Sequence, residues 1–340
     1  MKRTHSVDVP HSYPSELRYE PRMICGFRPV PEPHLGIYIG VLQHMVLEQN
    51  RHPGSSYCLI ADWHAATMWL GRPHMQQATL ATAAMLLAIG VDPRKTLLFA
   101  QSHVTGLGEM SWLLSCMTPE SLLLRNPVPR NTGESRVNIG AVLYPVLMSA
   151  DVLALRGTKI VVGRDQVMNA RKVRQIARAG NRIMGREVFP VPGVVVRGES
   201  VPGIDGTKMD FHRGNHVPIF CGVHELRERI QQIQTDSRRM HDQKDPETCT
   251  VFRLYALVAS PSRVEEMRAR YCHGQIGYEE AKNELAIAIV ERFSGAMEKF
   301  QEWCRHPDDI RDVLRNGAQV ASAEVGGTLA VVREHLGLAL

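Results

Sequence analysis

Residues 23–40 read MICGFRPVPEPHLGIYIG, and this stretch constrains the fold more than any other. Apolar Met23, Ile24 and Cys25 run into Gly26, then a proline-broken loop, then His34-Leu35-Gly36 at the head of a second apolar run. That order predicts a buried first strand, a tight turn and a helix N-terminus. A helix starting at the end of a buried strand carries unpaired N–H groups, which suit phosphate or another anion. The rest of the chain then has to supply a substrate pocket and a partner surface around the turn.

Strand-then-polar-cluster stretches recur downstream. Residues 57–61, YCLIA, end at Asp62-Trp63-His64; 96–100, TLLFA, end at Gln101-Ser102-His103; 159–163, KIVVG, end near Asp165-Gln166. A polar cluster just past a parallel strand is where open α/β sheets bind ligands. His64 reads equally well as a structural histidine. Helices are expected over 40–49, 77–89, 109–116 and 169–178. The apolar 109–116 suits a core or a dimer contact, and 169–178 is basic. Residues 122–138 read as loop, broken by Pro127, Pro129 and Gly133, and 188–196 as proline-interrupted strand or loop. The long apolar stretch 139–155 holds one charge, Asp151. A lone acid there is costly unless hydrogen-bonded. It is either a solvent-facing or capping group, or a carboxylate in an apolar pocket waiting for a ligand N–H. Residues 201–215, VPGIDGTKMDFHRGN, form a glycine-rich loop whose Lys208, His212 and Arg213 suit phosphate.

From about residue 222 the pattern turns helical with charged faces: 223–233, 250–257, 262–270, 278–303, and two further helices within 307–335. Such faces are either solvated surface or a nucleic-acid contact. A length of 340 residues favours two domains. The net charge of +5 permits nucleic acid without demanding it, because Lys and Arg are spread rather than clustered. Seven cysteines without a CxxC pair argue for reduced thiols in the cytoplasm, against a disulfide framework and against a zinc site. Residues 1–21 read as a polar extension or a flap over the pocket. No apolar signal region and no membrane-length span is expected.

Several strings carry a resemblance, in one order: GFRPVPEPHLGIYIG, FAQSHV with WLLSC, GAVLYPVLMSADVL, VVGRDQ, GIDGTKMDFHRGNHVPIF, TDSRRMHDQKDPETCTVFRLYAL and GYEEAKNELAIAI. Together they resemble the tryptophanyl-tRNA synthetases, class I enzymes, over nearly the whole chain from Met23. The resemblance implies an α/β fold: a Rossmann-like parallel-sheet catalytic domain over 22–221, after an extension at 1–21, and an anticodon-binding-like helical domain over 222–340. It implies activation of L-tryptophan with ATP and Mg2+ to tryptophanyl-adenylate, transfer to tRNA, and a homodimer.

By the same resemblance, Asp151 accepts the indole N–H, which accounts for the lone acid. Tyr144, Met148, Ile160 and Val162 wall the ring, and Gln166 with Tyr144 holds the α-ammonium. His64 belongs to the ADxHA turn, and Gly26 is the floor under the substrate. A site of this kind rejects phenylalanine, which would leave Asp151 buried and unpaired. ATP falls to His34, Gly36, Gly163, Asp165, Lys208 and Met209, with Lys208, His34 and Arg28 in the catalytic set. The phosphate signatures depart from the family. Arg28 stands for Gln, Val30 for Thr or Ser, Pro31 for Gly and Ile37 for Asn; in place of K-M-S-K-S the chain has Lys208-Met209-Asp210-Phe211-His212. The second signature lysine is therefore Phe211. Losing a preorganised cation where pyrophosphate departs weakens transition-state binding, and Arg28, His212 or Arg213 are the candidate replacements. Three readings follow: a working ligase, a paralogue repurposed for a biosynthetic pathway with altered ATP or tRNA chemistry, and a non-catalytic tryptophan- or tRNA-binding regulator.

Overall fold

The computed structural model describes residues 21–69, 74–124, 138–197 and 200–339. The expectations for 1–20, and for the prolines and glycine of the loop within 125–137, lie outside the described residues. The helix order is α1 (Leu35–Ile37), α2 (Gln43–Arg51), α3 (Asp62–Trp69), α4 (Met75–Ala88), α5 (Leu107–Met117), α6 (Glu120–Leu124), α7 (Ile139–Leu153) and α8 (Val167–Met184). Then follow α9 (Val223–Gln231), α10 (Thr250–Val258), α11 (Pro261–Cys272), α12 (Tyr278–Arg305) and α13 (Pro307–His335). Strands β1 (Met23–Phe27), β2 (Ser56–Ile60), β3 (Thr96–Ala100), β4 (Lys159–Val162) and β5 (Gly193–Val196) form one parallel sheet in the order β3-β2-β1-β4-β5.

The inner strands carry near-continuous apolar runs because helices cover both faces. On one face α4 gives Ala83, Met85 and Leu86 to a core shared with Cys25, Cys58 and Ile60. On the other, α5, α7 and α8 give Leu107, Val146 and Val173 to a core shared with Ile24 and Phe99. In register, Met23 of β1 faces Ser56 of β2 and Lys159 of β4. The chain builds outward from β1 to β3, then returns to the other side of β1 for β4. The crevice therefore opens past the ends of β1 and β4, at the switch point.

Three elements differ from the sequence expectation. The first helix begins at Leu35, not residue 40. His34 is extended (φ −132°, ψ 160°), Leu35 is fully buried, and a π turn at Tyr38–Leu42 joins α1 to α2. Only Gly193–Val196 of the 188–196 segment is strand. Residues 307–335 form one helix, not two, despite Gly317, Gly326 and Gly327.

Gly317 explains that helix. A Cβ at Gly317 would lie 2.0 Å from the Leu98 carbonyl oxygen, so α13 presses its backbone onto β3. It gives Ile310 and Leu314 to one core and Ala321, Val325 and Leu329 to the other, thereby covering the sheet edge. The tail of the expected 222–340 helical domain thus packs with the sheet. Helices α9 to α12 form a separate core, where Leu226, Phe252 and Leu285 meet Leu35, Met209 and Val217. Among the described residues no helix is long and apolar enough to cross a membrane.

Candidate active site

A cavity of about 510 Å³ opens at the switch point. The residues nominated for the tryptophan pocket, the ATP site and the catalytic set all line it: Gly26 and Arg28 after β1, His34 and Gly36 at α1, and His64 on α3. Tyr144, Met148 and Asp151 come from α7, Ile160 and Val162 from β4, and Gly163, Asp165 and Gln166 from the turn after it. Lys208 and Met209 come from the second signature loop. Arg213 does not line it, and the His212 side chain lies outside the described residues.

Asp151 is only 3% exposed. Its Oδ1 accepts a hydrogen bond from Gln101 Nε2 at 2.7 Å, and His64 Nδ1 lies 3.6 Å from Oδ2. Burial pushes the Asp151 carboxyl up to about 8; the Gln101 bond pulls the other way and the Asp62 charge adds to the rise. Burial likewise pushes His64 down to about 4, so the imidazole is neutral. His64 stands edge-on to Tyr144 with ring centroids 4.3 Å apart, and Gln101 Nε2 lies 3.1 Å from its Nδ1. This end of the cavity is a flat apolar slot with one carboxyl able to accept a proton donor.

Gln101 is a residue that the sequence reading did not place in the site. It is fully buried, in the single turn Gln101–His103 just past β3. The rule that singled out His64 after β2 applied equally here. The neighbouring Asp62 is held by the Ser102 N–H (2.9 Å) and hydroxyl, so the turns after β2 and β3 brace each other.

At the other end, Lys208 Nζ pairs with Asp165 Oδ1 at 3.0 Å. Burial raises the Asp165 carboxyl, but the hydrogen bond and charge of Lys208, with a bond from Gln166, outweigh it and hold the group below its usual range. Gln166 also has its amide oxygen bound by Asn169 Nδ2 at 2.9 Å, which orients it. The two signature loops are joined. The Gly36 N–H donates to Met209 Sδ at 3.2 Å, the Leu35 N–H to the Val217 carbonyl at 2.9 Å, and His216 Nε2 lies 2.9 Å from Glu32 Oε2. Gly36 fits closely here: a Cβ would come within 3.1 Å of both Met209 Sδ and His34 Nδ1. Asn215 staples the second loop: it accepts from the Asp210 N–H at 2.8 Å and donates to Asp205 and the Lys208 carbonyl. Phe211, at the position of the second signature lysine, packs against His216 at 5.0 Å between centroids. Arg164 and Arg197 also line the cavity. Arg197, one residue past the 188–196 segment read as strand or loop, was not among the residues nominated from sequence. Among the described residues, no group of three His, Cys, Asp or Glu could hold a metal ion.

A slot for a flat ring with a buried acceptor, next to a helix start and a lysine-bearing loop, suits an aromatic amino acid beside a nucleotide. The profile of the class I tRNA synthetases (W and Y) matches residues 17–294. The tryptophan–tRNA ligase of Rhodopirellula baltica is 36% identical over 321 residues, covering 93% of this chain and 99% of that one. That of Pseudomonas aeruginosa is 34% identical over 331 residues, covering 93% and 74%. The crystal structure of tryptophanyl-tRNA synthetase from Campylobacter jejuni complexed with ADP and tryptophan superposes with a TM-score of 0.84 at 32% identity, covering 93% of this chain and all of that one. With this geometry and these relatives, the chain belongs to the class I tRNA synthetases of the tryptophan and tyrosine group and is a tryptophanyl-tRNA synthetase-like protein.

Proposed function

We propose that the protein is a tryptophan–tRNA ligase, which activates L-tryptophan with ATP to tryptophanyl-adenylate and transfers the acyl group to tRNA. The observation that carries this reading is Asp151, a deeply buried carboxyl at one end of a 510 Å³ cavity whose other end is built from both signature loops. A tryptophan carboxylate oxygen attacks the α-phosphorus, and the bond from that phosphorus to the pyrophosphate oxygen breaks. The tRNA hydroxyl then displaces AMP.

In this reading Asp151 receives the indole N–H, Tyr144, Met148, Ile160 and Val162 sandwich the ring, and Gln166 with Tyr144 takes the α-ammonium. Neutral His64 fixes Tyr144, and Gly26 leaves room for the substrate. Gly36, His34, Gly163, Asp165 and Met209 border the nucleotide, with Lys208 on the phosphates. Arg28 is half-buried with its Nη1 only 3.4 Å from Met68 Sδ, a weak acceptor, so it is available for the substrate carboxylate or the α-phosphate. Mg2+ comes in on the phosphates, as it commonly does at nucleotide sites, since no cluster among the described residues suits it. Helices α9 to α12 are the candidate anticodon-binding unit. The homodimer uses the outer face of α5 to α7, where Trp112 is 69%, Leu124 57% and Ile139 72% exposed. All seven cysteines are free thiols, which suits the cytoplasm that this reading implies.

Tryptophan-dependent ATP–pyrophosphate exchange, followed by charging of tryptophan tRNA, tests the proposal. Both are expected with tryptophan and neither with phenylalanine. Tryptophan binding without any exchange would refute it.

A further inference from the structure

Phe211 removes one cation from the phosphate end of the cavity, and neither Arg213 nor Arg28, two of the replacements nominated from sequence, is placed to restore it. Arg213 stays outside the cavity, and the His212 side chain is not among the described ones. Arg28 belongs to the other end. Its guanidinium rests on Met68 of α3, and its charge is felt by His64 and Tyr144, the two rings beside Asp151.

Arg197 follows β5 directly. Its N–H donates to the Val162 carbonyl at 3.0 Å, which anchors the backbone to the rim of the sheet next to β4. The side chain is exposed, lines the cavity and enters no ion pair with a described residue, whereas Lys208 is already engaged by Asp165. Ser200 and Val201, the cavity-lining residues that follow it, lead into the loop carrying Lys208. The charge of Arg197 is felt by His44 on α2, one helical turn past the cavity-lining Gly40 and Val41. Arg197 therefore sits on the cavity rim past β4 and β5, on the segment that leads to Lys208, whereas Arg28 follows β1 beside His64 and Tyr144.

We propose that Arg197 is the second phosphate-binding cation of this enzyme, taking over at the end of β5 the task that the family assigns to the lysine replaced here by Phe211. The inference rests on the adenylate-forming reading and adds a catalytic residue to it. As the bond between the α-phosphorus and pyrophosphate breaks, its electron pair moves onto the leaving oxygen, and negative charge accumulates on the pyrophosphate. A guanidinium fork offers two parallel N–H donors to such an oxyanion. Its contribution grows with the leaving-group charge, so it acts on the rate more than on ground-state binding.

The test is tryptophan-dependent ATP–pyrophosphate exchange by the full chain and its R197A, R197K and R213A variants, with tryptophan affinity measured in parallel by calorimetry. R197A is expected to lower the exchange kcat by about 100- to 1,000-fold, the loss typical of one removed oxyanion donor. Tryptophan affinity should stay within about twofold, which also shows that the variant is folded, and R197K should recover part of the rate. Exchange by R197A within about threefold of the parent would overturn the inference. So would a parallel loss of tryptophan affinity, or a loss that follows R213A instead. If the parent chain shows no exchange, the adenylate-forming reading fails and this inference fails with it; exchange in the parent with R197A unimpaired removes the inference alone.

Discussion

Asp151 combines two demands that conflict in water and agree in this cavity. A carboxylate has to be free to accept an indole N–H, yet the slot around it has to be dry enough to hold an aromatic ring. Burial shifts the balance toward the protonated acid, with the group at about 8, and an N–H donor shifts it back toward the anion. Binding tryptophan should therefore release a proton below pH 8. Affinity is expected to rise from pH 6 to pH 8, and the Asp151→Asn variant should bind weakly with no such slope. Titration calorimetry in two buffers of different ionisation enthalpy checks both points. His64, at about 4, stays neutral over this range and does not contribute. For stability the sign is opposite. The folded state holds this proton up to about pH 8 while the unfolded chain loses it near 3.8, so the Asp151 contribution is most favourable below the unfolded value and is lost as pH rises toward 8. The lone acid was legible in the sequence because nothing else in 139–155 is charged. Gln101, which fixes its orientation, was not legible as its partner, since 50 residues separate them.

At the level of elements, the sequence was most readable where a pattern is local. The strands β1 to β4 are short apolar runs that end in polar clusters, and each appears within a residue or two of its expected place. It was least readable where a glycine has a tertiary role. Residues 307–335 read as two helices, but they form one, and Gly317 is what lets it lie against β3. Gly317→Ala would improve helix propensity by roughly 1 kcal/mol, yet the added methyl has to displace a backbone carbonyl rather than a flexible side chain. We expect net destabilisation of about 1–3 kcal/mol, read as a lower midpoint in urea unfolding. Gly326→Ala, where a Cβ would meet nothing within 4 Å, should be neutral or stabilising. If the two variants behave alike, the close approach of α13 to β3 is not a determinant of stability.

On the scale of the whole molecule, the cavity is assembled from six separate chain segments, and the apolar outer face of α5 to α7 is the contact proposed for a homodimer. Trp112→Glu puts a charge on that face in place of a large exposed apolar side chain. It is expected to shift the protein from dimer to monomer in sedimentation velocity while leaving the melting temperature of the monomer within about 2 °C, as for a surface substitution. A parent protein that sediments as a monomer would remove this assignment of the face. The sequence by itself determined the α/β class, the helical second half, the family and a large part of the cavity lining, because strand runs, lone buried charges and signature strings are properties of neighbours along the chain. Only the tertiary structure decided that residues 307–335 close the sheet edge, that Gln101 holds Asp151, and that Arg197 joins the cavity lining while Arg213 does not. Those outcomes depend on distances between segments far apart in the chain. Periodicity and composition carry no information about such distances until the strand order brings the segments together.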